Sequence, residues 1–333
     1  MGFNEAFAFL NFSQKSEECI YVTLCCIQMV EHLTGIFISF WFLCIICKSS
    51  VFHVNLTWIL SSLTFSLCLT SATKLICNGF IVSRGKYDFA TAGVVEMTWE
   101  MCILSVCINM VLLSVERLAA TVRSTTYEHE SNLIIICTVI IFMWTSLSIL
   151  TCVLYHFKGL DGPNPTTDQS IAFACIICTS VAIVITSLVH RHNFRNWKKR
   201  RCLMRFSECY QVRENIKTSR IINHIFISFS ILFTIGVAFY AFYLLVSING
   251  LYLLFGFVFD IVTCSPSIVI PLIVIFAEER LNRRVAQQLQ KYVQNKINAA
   301  PPVTLKDLEG KTINIAKELH PQTYFQQLDQ AWR

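Results

Sequence analysis

Seven long apolar runs, divided by short polar stretches, organise the chain; they lie near 20–47, 52–77, 94–118, 133–156, 170–190, 221–247 and 251–277. A helix of about 20 apolar residues crosses the roughly 30 Å hydrocarbon core of a bilayer. Backbone polar groups in lipid must be satisfied within their own segment, and these runs show no strand-like alternation, so each predicts a helix. The fold class predicted is an all-α membrane protein, a seven-transmembrane helix bundle. It divides into residues 1–19 before the first run, the bundle at 20–277, and a tail at 278–333. No inverted repeat of the kind found in many transporters is visible.

Polar residues then orient the bundle. The segment 191–220 holds ten of the 27 Lys and Arg residues, and the tail holds nine more. With seven spans these two regions fall on one side. The other side has Lys15, Lys74, Arg84, Lys86 and Lys158. Basic loops stay cytoplasmic, so the amino terminus is expected outside and the carboxyl terminus inside. Leu281, Val285, Leu289 and Val293 recur every four residues among basic ones, which predicts a short amphipathic helix on anionic inner-leaflet lipid. "AAPP" (299–302) stops it. Beyond that the polar chain to Arg333 is expected to be mobile.

Composition agrees: mean hydropathy is +0.56 and only 14% of residues are charged, against about 25% in soluble domains. Of the sixteen Cys, most lie inside apolar runs, where a thiol is a small apolar packer. "CIIC" at 44–47 and 175–178 has zinc-ligand spacing but no second exposed pair to complete four ligands. Cys19 and Cys77 both fall near outer ends of spans and could bridge. The start, "MGFNEAFAFLNFSQKSEE", has no signal-peptide pattern, and Ala6 stands where myristoylation wants Ser or Thr. Asn11 in "NFS" is a glycosylation acceptor on the expected outer side; "NLT" at 55–57 falls on the inner side and is discounted.

Ionisable groups inside spans face the bundle interior or a wet cavity. Glu31 and His32 lie in the outer half of helix one, Lys74 near the outer end of helix two, and Asp260 about nine residues into helix seven. Glu96 and Glu100, four apart, share a face of helix three. Pairs such as Lys74 with Glu100, or His32 with Asp260, would account for them structurally. As a set they ring the outer half, where a small-molecule pocket belongs. Tyr240 and Tyr243, with Phe239 and Phe242, add an aromatic group that fits either a pocket or an interfacial girdle. The excess of acids over Lys74 favours a cationic or hydrogen-bond-donating ligand. At the other end, "LLSVERLAATVRSTTYEHE" (112–130) closes helix three with Glu116 and Arg117. An interfacial anchor that snorkels is one reading; a charge couple acting as a two-state lock is the other.

Seven helices, an outside amino terminus and an acid–Arg couple closing helix three resemble a G-protein-coupled receptor. "VFHVNLTWIL" (51–60) resembles the Phe-His-x-Asn-Leu opening of helix two in nematode serpentine chemoreceptors. "ERLAATVRSTTYE" (116–128) resembles their Glu-Arg-x-x-Ala-Thr…Tyr-Glu signature. The group is the Sra/Srb/Sre superfamily, Sre-like in the first place. The resemblance implies that Arg117 faces a G-protein cavity with Glu116 as its resting partner. Phe52, His53, Asn55, Tyr127 and Glu128 match the group signatures, and Trp144 resembles the Trp in helix four of many receptors. It also implies a small external cue as ligand, a heterotrimeric G protein as partner, the plasma membrane as location, and a sensory cilium as a place of work. Membrane lipids are a further expected partner. No cofactor, metal, catalysis or nucleic-acid partner is expected.

The sequence also departs from rhodopsin-like receptors. Helix six has no Pro, helix two no sodium-site Asp, and "FKGLDGPNPTTDQS" no Cys. Helix seven ends "SPSIVIPLIVIF", so Pro266 and Pro271 are expected to kink it instead. The alternative function is a seven-helix ligand-gated channel or transporter. An ion path wants acids at several depths, whereas here they cluster in the outer half. A retinal photoreceptor needs a Lys in helix seven, and 251–277 has none.

Overall fold

A computed structural model describes residues 14–49, 51–84, 89–123, 127, 133–158, 165–200, 206–245, 251–294, 305–306 and 312–313. Asn11 and Glu128 lie outside them. Nine helices are described: α1 (Gln14–Cys47), α2 (Val54–Arg84), α3 (Phe89–Val122), α4 (Leu133–Lys158), α5 (Pro165–Arg200), α6 (Phe206–Leu245), α7 (Leu251–Cys264), α8 (Pro266–Ala277) and α9 (Glu279–Gln294). Seven spans are long and apolar enough to cross a membrane, α7 and α8 together forming the seventh. The fold is therefore the expected seven-helix bundle. Two compact units divide the chain, residues 1–282 and 283–333.

In the first unit α2 packs between α1 and α3, and α3 also meets α4, α5 and α6. The window of α3 is 61% buried and that of α4 only 11%, so α3 is the axis of the bundle and α4 faces lipid. Spans without a hydrophobic drive to associate rely on close packing and interhelical hydrogen bonds. Gly35 of α1 supplies the packing: a Cβ there would lie 2.2 Å from Ser267 Oγ and 2.9 Å from Ser71 Oγ. The hydrogen bonds come from serines and asparagines. Ser66 and Ser105 hydroxyls are 2.8 Å apart between α2 and α3, and Asn109 Nδ2 of α3 donates to Ser66 Oγ of α2 at 3.4 Å. Ser114 of α3 meets Thr186 of α5 at 3.0 Å. Trp144 of α4 donates to Ser62 of α2 at 3.4 Å and lies edge-on to Phe65.

The seventh span is interrupted just before Pro266, whereas α8 continues through Pro271, and neighbouring hydroxyls repair what the two prolines remove. Pro266 cannot donate to the Val262 carbonyl, and the seventh span is interrupted at Ser265, whose hydroxyl donates to that carbonyl at 2.9 Å. Pro271 likewise leaves the Ser267 carbonyl, which accepts from Ser39 of α1 at 2.7 Å. Freed carbonyls in lipid need such partners.

Several expectations change. The segment 191–220, taken from the sequence as a loop, is helical through Arg200 and again from Phe206. Its Lys, Arg and Glu are good helix formers and lie past the apolar runs. The tail includes a two-residue antiparallel ladder, Leu305 opposite Ile313 and Lys306 opposite Thr312, where mobility was expected; β-branched residues suit a strand. Cys19 and Cys77 do not bridge each other: Cys19 is exposed and Cys77 buried. The amphipathic helix appears as α9, with Leu281 and Val285 buried and Arg280, Arg283 and Arg284 exposed.

Candidate functional site

Both signature segments meet at one end of the bundle. His53 precedes α2; its Nδ1 accepts from the Asn55 backbone N–H at 3.4 Å and its carbonyl from Thr57 N–H at 3.0 Å, so it caps the helix. That fixes its ring 4.2 Å from the ring of Tyr127. Phe52 and Asn55 are buried beside it. Tyr127 is held by its N–H on the Arg123 carbonyl at 2.9 Å.

Glu116 and Arg117 are not surface anchors. They are 5% and 3% exposed, which removes the snorkelling reading. Arg117 grips Glu116 with two bonds, Nε to Oε2 and Nη2 to Oε1, both 2.5 Å. The Tyr127 hydroxyl donates to Glu116 Oε1. Burial and the adjacent carboxylate push the Tyr127 phenol above its ordinary range, so it stays a donor. Two amides tie this end together: Asn193 of α5 donates to Thr121 at 2.8 Å, and Asn215 of α6 to the Ala120 carbonyl at 3.2 Å.

A second ionic contact joins α6 to the junction of α8 and α9. Lys217 Nζ is 2.7 Å from Glu278 Oε1, and Arg280 Nη2 is 3.3 Å from Glu214 Oε1. Glu278 also caps α9, accepting from the Arg280 backbone N–H at 3.3 Å through its side chain and from Asn282 N–H at 2.9 Å through its carbonyl. Sequence reasoning missed this latch. Its charges lay in stretches taken as an orientation signal.

At the opposite end, Lys74 of α2 pairs with Asp260 of α7 at 2.8 Å and sits 4.1 Å from the centre of the Trp99 ring. The partner expected for Lys74 was Glu100. Asp260 is the carboxylate in contact with Lys74, and Glu100, next to Trp99 on α3, is buried. The pair of His32 with Asp260 is not formed: His32 is fully buried, and among the described residues neither ring nitrogen has a hydrogen-bond partner. Glu31 Oε2 and Trp99 Nε1 are buried without partners too. Asp260 nevertheless lies within electrostatic range of Tyr21, Glu31 and His32, so Glu31, His32, Lys74 and Asp260 do converge. Tyr240 stacks on Tyr243 at 6.2 Å and tilts against Phe259 at 5.2 Å, and Tyr243 reaches the same electrostatic neighbourhood through Tyr21. Gln28 donates to the Phe257 carbonyl at 3.4 Å and accepts from Asn78 at 3.0 Å. Two amides in apolar runs were a signal the sequence offered and the charge-based reading passed over.

The family model of the Sre G protein-coupled chemoreceptors matches residues 85–333. The chain belongs to the Sre family. The match takes in α3 to α9, and with them the Glu116–Arg117–Tyr127 assembly, the latch and Asp260. The Phe-His-x-Asn-Leu stretch precedes it, so its likeness to the serpentine group rests on its own residues. No curated protein matches the chain. As a Sre receptor it is a multi-pass membrane protein with a chemosensory, G-protein-coupled role. Among the described residues, no group of His, Cys, Asp and Glu could hold a metal ion.

Proposed function

We propose that this Sre receptor stands in the plasma membrane with its amino terminus outside and its tail in the cytoplasm. It binds a small external cue in the outer half of the bundle and signals from the Arg117 end to a heterotrimeric G protein. The observation that carries this reading is the buried Glu116–Arg117–Tyr127 assembly. An ionised pair enclosed at one end of a bundle is costly unless its geometry is good, and here the geometry is bidentate with a third hydrogen bond. Such an assembly suits a resting state that a ligand at the far end can bias. The basic residues of 191–220 and of the tail lie on the same side of the chain topology, which supports a cytoplasmic Arg117 end. The outer pocket uses Glu31, His32, Lys74 and Asp260, with Glu100, Tyr240 and Tyr243 at its margin. Asn11 is its glycosylation acceptor and Glu128 closes the switch signature. In sensory neurons the cilium is the natural place for such a receptor.

The test is G-protein activation in cells expressing the chain, screened against pooled volatile and water-soluble cues, with Arg117→Ala in parallel at equal surface expression. A response lost in the variant supports the reading. A response that survives removes Arg117 from the coupling end. A ligand-gated current in the absence of G proteins overturns the reading in favour of a channel.

A further inference from the structure

The Lys74 end has an unbalanced account of charge and hydrogen bonds. Lys74 and Asp260 neutralise each other at 2.8 Å. Glu31 has no such counterion, and its Oε2 is buried without a donor. His32 is 0% exposed, and both its nitrogens lack partners. A buried polar atom without a partner costs free energy, and native proteins leave few of them except where something else binds. A neutral imidazole always has one acceptor nitrogen. The unfilled acceptors are therefore a carboxylate oxygen and an imidazole nitrogen, to which Asp260 can add its Oδ2; the unfilled donors, the other imidazole nitrogen and Trp99 Nε1, carry no charge.

We propose that α1, α2 and α7 form a head-group site for a small protonated amine, with Glu31 as its counterion and His32 and Asp260 as further acceptors. A primary ammonium has three N–H donors and one positive charge, which matches three acceptors and one uncompensated carboxylate. The Trp99 ring faces the Lys74 ammonium at 4.1 Å, which helps hold Lys74 on Asp260 and away from Glu31. A carboxylate ligand would meet two acids for one Lys, and an aliphatic alcohol would leave Glu31 without a counter-charge. The proposal specifies the chemistry of the outer pocket described above and rests on that reading. It also moves the polar contacts to α1, α2 and α7, away from the aromatic group of α6.

The test uses the full chain in lipid nanodiscs, with butylamine as probe and 1-butanol and butyrate as its neutral and anionic matches. Thermal melting and binding are measured for the parent and for Glu31→Gln. The expected result is a rise in melting temperature with butylamine alone, and an affinity roughly ten- to a hundredfold weaker in E31Q, as for loss of one charge-assisted hydrogen bond. Unliganded E31Q should melt no lower than the parent, since it loses an unpaired acid; if it fails to fold, His32→Gln carries the same comparison. Equal shifts from all three probes, or an amine affinity unchanged in the variant, overturn the proposal. A shift selective for butanol or butyrate overturns the amine assignment and leaves the outer pocket standing. No shift from any probe overturns the head-group site, while the Arg117→Ala signalling assay still decides the receptor reading separately.

Discussion

Tyr127→Phe removes one atom from the Glu116–Arg117–Tyr127 assembly and leaves its frame in place. The ring that lies 4.2 Å from His53 remains, as does the bidentate pair at 2.5 Å. What is lost is a hydroxyl donating to an ionised Glu116. A hydrogen bond to a charged group contributes about 1.5–3 kcal/mol, and about 1.4 kcal/mol is a factor of ten. If the bond belongs to the resting state alone, its removal raises the active-to-resting ratio roughly 10- to 100-fold. A receptor about 1% active at rest becomes roughly 10–50% active. The assay is ligand-free nucleotide exchange on a G protein, with parent and variant in nanodiscs at equal folded amounts. The pH sign is also fixed. A phenol raised above its ordinary value of about 10 keeps its proton below that value and loses it only as pH rises through the raised one. The contrast between parent and variant should therefore be constant from about pH 6 to 9. Basal exchange within twofold of the parent would refute the reasoning, because the bond would then be equal in both states. A fall would assign it to the signalling state.

The latch gives a second test. Exchanging the charges with Lys217→Glu and Glu278→Lys singly should raise basal exchange at least a few-fold, more for Glu278→Lys because Glu278 is buried and also accepts from the Arg280 N–H, and the double exchange should restore the ionic part; a double variant that sums the single effects would sink the pairing. Gly35 and Gly79 give a stability contrast in thermal melts in detergent. Gly35→Ala drives a Cβ to 2.2 Å from Ser267 Oγ and should destabilise by about 1–3 kcal/mol. Gly79→Ala meets nothing within 4 Å and should stabilise by roughly 0.5–1 kcal/mol through helix propensity; equal effects at the two sites would contradict the close approach of α1 to α2 and α8.

The sequence by itself determined the number of spans and where their apolar cores lie, because crossing length and apolarity are summed along the chain and need no partner; the polar extensions of α5 to Arg200 and of α6 back to Phe206 lie outside what apolarity marks. It determined the break in the seventh span, because a proline lacks its N–H wherever it lies. It also placed Glu116 beside Arg117, since the two are neighbours in the chain. The tertiary structure alone decided which groups meet across helices. The spans are apolar nearly all round, so no stripe marks which face turns inward, and a modest rotation of a helix changes every partner it has. That is why charge and spacing alone do not bring Lys74 to Asp260, and why they leave Asp260 a candidate partner for His32, to which it does not bond. The same packing brings Ser39 to the carbonyl freed by Pro271 and sets His53 against Tyr127, more than seventy residues away. It also encloses Arg117, a residue whose position at the end of an apolar run was equally compatible with water and lipid headgroups.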